Sequence, residues 1–385
     1  MRIINTLKLV LITFALAIST QDSYLNAQLS DDAYISLITC RPGNEIFNIW
    51  GHTGIRVVDK ENKIDYIFNY GMFSFNEPGF LGKFLRGRLL YWVDTEKFDN
   101  FYYKYNKEKR SLIEQKLNYT NAQKNRVFQA LNNNLKPENR KYHYDFFFDN
   151  CATRPRDILL DNLYLETNIK AETDVSFRNL LDKYILDKPW VDFGVDLIVG
   201  SLADKKSTFA DQMFLPELFA SQLEKINLGN KKLVEPKTLI LDHESMANER
   251  QKSTPFKPLY LFLAFLIFEL YLFVKTRNKP TAKSVNIYDK LWYLVAGISS
   301  ILIAFMWFGT DHIATKNNLN LLWLNPIFLI LLFKESRWAN ITALLCLILT
   351  LIGSTFFQEI HIVSIVAIIT LLLKIVRRIS RNTVH

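Results

Sequence analysis

The chain has 385 residues, 49% of them hydrophobic, and a formal net charge of +9 at pH 7. That length admits more than one domain. The charge would suit nucleic acid if the basic residues shared one soluble face, but many lie between and after the apolar runs that dominate from Pro258 onward. A membrane explains them better, and a nucleic-acid partner is set aside.

The N-terminus reads "MRIINTLKLVLITFALAIST", with Arg2 and Lys8 flanking a short apolar core and a small residue at Ala27. This pattern predicts a secretory signal over residues 1–27. The alternative, a retained anchor, is disfavoured because the core falls short of the roughly 20 residues a span needs.

Residues 28–245 have the mixed composition of an exported globular domain. "DAYISLIT" (32–39), "HTGIRVV" (52–58) and "KIDYIFNY" (63–70) carry β-branched and aromatic residues between turn-forming clusters and read as strands. "TNAQKNRVFQALNNNL" (120–135) puts Val127, Ala130, Leu131 and Leu135 on one stripe, so it reads as a helix ended by Pro137. "WVDFGVDLIVGSLAD" (190–204) and "QMFLPELFASQL" (212–223) are apolar enough for an acyl groove, a membrane-facing surface or plain core. The polar run 246–257 is the expected linker.

Apolar runs follow at about 258–274, 291–309, 319–333, 339–357 and 361–376, which predicts about five transmembrane helices within 258–378, the third the shortest. The segments "KTRNKPTAK", "KESR" and "KIVRRISR" are basic, whereas "GTDHIATKNN" and "FQEIH" are nearly free of positive charge. Lysine and arginine collect on the cytoplasmic side, so the exported domain is placed outside. The fold class expected is α+β for the exported domain, followed by an α-helical membrane bundle.

The stretch "HYDFFFDNCATRPRD" (143–157) carries the chemistry. Asp149, Asn150 and Thr153 are N-cap types ahead of an apolar helix pattern, and Pro155 favours a start near Thr153, so Cys151 falls at or just before a helix N-terminus. That setting stabilises a thiolate. Among the exported histidines, His243 is in the linker region and His143 precedes Cys151 by only eight residues. His52, in "WGHTGIRV", begins a strand between two glycines, and a strand histidine facing a helix-start cysteine suits thiol catalysis. Two other readings stay open: Cys151 as an inert packing residue, and a Cys40–Cys151 disulfide in an oxidising compartment. No CxxC, HExxH or phosphate-cradling loop occurs, so no metal and no cofactor is expected.

The order of histidine in "GHTGIRV" and cysteine in "NCATRPRD" resembles the circularly permuted papain-like (NlpC-type) fold. More closely, "TCRPGNEIFNIWGHTGIRV", "FNYGMFSF", "YDFFFDNCATRPRD" and "MFLPELF" resemble the exported domain of the Bacteroidetes lipoprotein N-acyltransferase family known as Lnb. That resemblance covers most of 33–220, and the multi-span C-terminal region fits it. It implies acyl transfer from a membrane phospholipid, through a thioester on Cys151 with His52 as base, to the α-amino group of a diacylated bacterial lipoprotein.

Asn69, which ends the strand after His52, is the first candidate to orient its ring, with Tyr70 and Asp65 as rivals. Arg154 and Arg156 are candidates for a lipid phosphate, or else surface charges that pair around the helix, and Arg56, which shares strand parity with His52, is expected to face the site as a substrate contact. In "TDHIATKNNLNLLWLNP" (310–326), Asp311, His312, Asn320 and Asn325 are expected at the outer membrane face, with His312 and Asn325 as substrate contacts. The rival functions are a membrane-anchored peptidoglycan cysteine peptidase or amidase, and a non-catalytic membrane scaffold.

Overall fold

The structure, a computed structural model, describes residues 28–43, 45, 48–161, 163, 165, 168–243, 256–276 and 283–382. The expected signal sequence and all but the last two residues of the expected linker lie outside the described residues. In chain order the elements are β1 (Tyr34–Cys40), β2 (His52–Asp59), β3 (Ile64–Met72), α1 (Phe80–Leu85), β4 (Leu90–Lys97), α2 (Phe98–Lys107) and β5 (Leu112–Lys116). Then come α3 (Asn121–Leu135), β6 (Lys141–His143), α4 (Thr153–Leu160), β7 (Glu172–Ser176), α5 (Phe177–Ile185), α6 (Pro189–Ile198) and β8 (Lys206–Thr208). They are followed by α7 (Pro216–Leu223), β9 (Asn227–Leu228), β10 (Lys231–Lys232) and β11 (Thr238–Leu241). The C-terminal region holds α8 (Pro258–Thr276), α9 (Lys283–Phe308), α10 (Asn320–Trp323), α11 (Ile327–Phe333), α12 (Arg337–Gly353) and α13 (Ile362–Asn382).

Two compact units result. The first draws its described residues from 1–76, 90–170 and 209–247, the second from 77–89, 171–208 and 248–385. Two pieces of the expected exported region, 77–89 and 171–208, therefore belong with the apolar helices.

The first unit is built on a seven-stranded antiparallel sheet in the order β11-β5-β1-β2-β3-β4-β6. β1 buries six of its seven residues, so the sheet is covered on both faces at its centre. Side chains alternate between faces with period two. One set, Ile35, Leu37, Ile55, Val57, Phe68 and Tyr70, packs with Val127 and Leu131 of α3, Leu159 of α4 and Phe219 of α7. The opposite set, Ile38, Cys40, Ile67 and Leu112, lies under Phe98, Phe101 and Tyr105 of α2.

Helix α3 starts in a reciprocal capping box between Thr120 and Gln123, which satisfies two otherwise orphaned N–H groups. Its buried stripe includes Phe128 in place of Ala130, which is exposed. The stretch 212–223, expected as groove or core, is core: Met213, Phe214, Phe219 and Leu223 are buried.

In the second unit, α8 and α9 have 19 and 26 residues. At about 1.5 Å per residue both exceed roughly 28 Å, enough to cross a bilayer core. The third apolar run is not one helix. It breaks into α10 and α11 at Asn325 and Pro326, where proline lacks an N–H, Asn325 Nδ2 donates to Leu322 O (2.7 Å) and Asn325 Oδ1 accepts from Ile327 N (3.1 Å).

Near the C-terminal end of α13, Lys374 and Arg377 are fully buried against Glu269 of α8 and Asp289 of α9, with N–O distances of 2.6–3.1 Å. Two cations and two anions balance, tying three helices together. The segments before α8 are bonded to the loops between the later helices. Asn318 and Asn320 donate to the carbonyls of residues 196–198, and Gln358 to Val199 O. Gly200 sits so close to this loop that a Cβ there would fall 1.8 Å from Lys316 O.

Candidate active site

The site lies in the first unit, where the ladder between β2 and β3 ends. Their pairing stops at Gly54 and Asn69. Beyond it, Gly71 adopts φ +86°, and a Cβ at this position would lie 3.3 Å from Cys151 Cβ. Only glycine combines that backbone with so close an approach. Thr53, one residue beyond the paired stretch, donates its backbone N–H to Cys151 Sγ.

Asn150 holds the cysteine in place. Its Oδ1 accepts from the N–H groups of Ala152 (2.7 Å) and Thr153 (2.9 Å), while its own N–H donates to Thr153 Oγ1 (2.8 Å). This is the logic of a capping box, begun one residue before the nucleophile candidate. Asn150 Nδ2 donates to Phe146 O (2.7 Å) and Phe214 O (3.0 Å), anchoring the turn to the start of α7. The phenylalanine run has a packing role: Phe146 and Phe147 meet Phe214 edge-on at 5.9 and 5.4 Å, and Phe146 meets Trp50 at 5.5 Å.

His52 opens β2 opposite Cys40 of β1. Its Nε2 lies 3.3 Å from Asn69 Oδ1, and Asn69 Nδ2 donates to Glu96 Oε1 at 2.9 Å. A carboxylate only accepts, so Glu96 fixes the Asn69 amide with its oxygen toward the imidazole. Nε2 of a neutral His52 must then carry the proton, which leaves Nδ1 with a free lone pair. The rivals for this place are used elsewhere: Tyr70 OH accepts from Asn134, and Asp65 pairs with Arg56.

Burial pushes the Cys151 thiol up to about 11, opposed by the Thr53 N–H. Burial, then the Arg110 guanidinium, lowers His52 to about 3, against the Asn69 hydrogen bond. The pair at rest is thus a neutral thiol and a neutral imidazole, and no hydrogen bond joins them. Cys40 is buried, its thiol held up at about 12 by burial, and all three cysteines are free thiols rather than half-cystines.

Arg154 makes a fork with Asp149 (2.5 and 2.9 Å), stacks over Tyr142, and lines a cleft of about 380 Å³ with Asn134, Phe148, Asp157 and Ile158. Arg156 is held by Asp157 and Ala210 O. Arg56 shares the His52 face of the sheet but is held by Asp65 (2.8 Å), Glu114 (3.2 Å) and the Phe98 ring. In the second unit, His312 Nε2 lies 3.1 Å from Phe84 O, and the Asn325 amide serves the helix break.

Glu96, Thr53, Gly71 and Arg110 are site features the sequence reading missed. Asp192, Asp196 and His361, distant in sequence and without a metal motif, bring ligand atoms within 4.8 Å of one another. Their present partners are one another and Arg178: His361 meets Asp192 at 3.2 Å, and Arg178 pairs with Asp196.

A mixed α/β domain preceding two helices long and apolar enough to cross a bilayer fits the class of membrane proteins. Residues 20–183 match the model of the Lnb N-terminal periplasmic domain, and residues 249–383 match that of the Lnb transmembrane domain. The chain belongs to the Lnb family. No curated protein and no solved structure matches it.

Proposed function

We propose that this protein is a lipoprotein N-acyltransferase of the bacterial inner membrane, with about five spans and a permuted papain-like domain in the periplasm. The observation that carries the reading is the hydrogen-bonded series Glu96, Asn69, His52 beside a cysteine whose sulfur is bound by the N–H of the residue after His52.

In the first half-reaction His52 Nδ1 takes the Sγ proton and the sulfur attacks a phospholipid ester carbonyl, forming the S–C bond. The C–O bond to glycerol breaks, and His52 returns the proton to the leaving oxygen, releasing lysophospholipid. In the second, the α-amino group of a diacylglyceryl-cysteine lipoprotein attacks the thioester and gives its proton to His52. The C–S bond breaks, the thiol is restored, and an amide remains.

Asn69 orients the ring and Glu96 orients Asn69. The Cys151 N–H, next to the start of α4, is the candidate oxyanion donor. Among the residues expected at substrate, Arg154 is retained for the phosphate because it lines a cleft, with Asp149 as the partner a phosphate would displace. Arg56, Arg156 and Asn325 are engaged by protein groups, and the His312 ring sits against a main-chain carbonyl.

The test is mass spectrometry of N-terminal lipopeptides from cells lacking the protein, complemented with wild type or Cys151→Ser. A third acyl chain restored by wild type and not by the well-expressed variant is the expected result. A free amine in both overturns the transferase reading, and restoration by both removes Cys151 as nucleophile.

A further inference from the structure

We propose that the hairpin 77–89 is a lipid-docking element, with α1 lying in the interfacial layer of the periplasmic leaflet and Arg86 at a lipid phosphate. Helix α1 reads "FLGKFL" and buries none of its residues. Leu81, Phe84 and Leu85 are 66%, 45% and 42% exposed. A six-residue helix has no stability of its own in water and normally persists by packing an apolar face. Here Leu81, Phe84 and Leu85 are left largely exposed, an apolar surface of the kind that another apolar medium covers.

The hairpin's bonds place that medium. Asp311 N donates to Arg86 O (2.8 Å), Arg88 Nε donates to Asp311 Oδ2 (2.7 Å), and His312 Nε2 lies 3.1 Å from Phe84 O. Asp311 is three residues beyond Phe308, the last residue of the apolar helix α9. Three extended residues reach at most about 11 Å, so the hairpin backbone is held close to the end of a membrane-length helix. That is the depth of the headgroup layer, which adds roughly 5–8 Å on each side of the hydrocarbon.

Charge fits as well. Of the cations in or beside α1, Lys83 pairs with Glu77 (2.7 Å) and Arg88 with Asp311 (2.7 Å), while Arg86 is exposed. Basic residues beside a short apolar helix are the composition of an in-plane interfacial element. The hairpin belongs to the segment matched by the periplasmic-domain model, which fixes the leaflet. In the chain it follows β3 after residues 73–76.

The test uses the full-length protein in nanodiscs of phosphatidylethanolamine and phosphatidylglycerol. A benzoylphenylalanine photocrosslinker replaces Phe84 or, as control, Glu61 in an exposed turn of the first unit, with unchanged melting as the check on folding. Illumination is expected to give protein–phospholipid adducts from position 84 and only background from 61. No excess at 84, or a crosslinked pair of protein chains in place of lipid adducts, overturns the proposal. The same experiment in a Cys151→Ser background must give the same adducts, so a failed transferase reading and a failed docking reading are told apart.

Discussion

Glu96 decides which way Asn69 points. With the carboxylate 2.9 Å from Asn69 Nδ2, the amide oxygen is committed to His52, and the imidazole keeps one tautomer. In the proposed mechanism these two residues position the base and never touch substrate. Asn69→Ala should lower the acyl-transfer kcat by about 10²-fold, at the lower end of what a general base contributes, with KM little changed. Glu96→Gln, which keeps an accepting oxygen, should retain most activity, whereas Glu96→Leu should follow Asn69→Ala. Steady-state kinetics on purified protein check this, and equal losses in Glu96→Gln and Glu96→Leu would remove the orienting role.

The titration directions give a second expectation. A thiol raised to about 11 and a histidine lowered to about 3 cannot form a resting ion pair at pH 7. Alkylation of Cys151 by iodoacetamide should therefore climb steadily with pH above 7, with no plateau between pH 4 and 8. Mass spectrometry of the labelled peptide reads this directly.

His52 also links stability to pH. Its folded value lies below its ordinary 6.5, so the unfolded chain binds more protons between the two values, and stability is lost as pH falls from 6.5 toward 3. In His52→Gln that part of the acid dependence should vanish. Melting temperatures of both proteins across this range are the measurement.

Two glycines should respond oppositely to alanine. At Gly200 the new Cβ would fall on Lys316 O, a backbone atom that cannot step aside, so Gly200→Ala should abolish stable protein. Gly194, within α6, has nothing within 4 Å of its Cβ position, and Gly194→Ala should be neutral or stabilise by up to about 1 kcal/mol. Expression and melting in detergent separate the two.

The buried charge group predicts a non-additive pair. Lys374→Met leaves Glu269 and Asp289 short of one partner and should cost about 3–5 kcal/mol. Adding Glu269→Leu should recover part of that loss, because the remaining Arg377 and Asp289 are matched. Thermal stability of the two single variants and the double closes the cycle.

Local pattern made β1, β2, β3 and α3 legible to within a residue or two, because alternation and a capping sequence are written in neighbouring residues. The start of α4 just after Cys151 was legible for the same reason. Strand order was not, since β5 reaches β1, and β11 reaches β5, from far along the chain. His52 and Asn69 could be paired as candidates, but their meeting depends on the β2–β3 register, and Glu96 joins from a third strand. Arg110, in "KEKRS", has the appearance of a surface charge, yet it is buried beside Cys40 and Tyr105 and acts on His52. The break at Asn325 was hidden because both sides of it are equally apolar.

The anchoring of Asn150 bears on how this site tolerates change. Its amide reaches the carbonyls of Phe146 and Phe214, and the sulfur of Cys151 rests on the amide of Thr53. Carbonyls and amides of the main chain are common to nearly every amino acid. The hydrogen bonds that hold the thiol therefore outlast a change of side chain at 53, 146 or 214, where packing alone sets the constraint, whereas at position 150 they require the carboxamide itself.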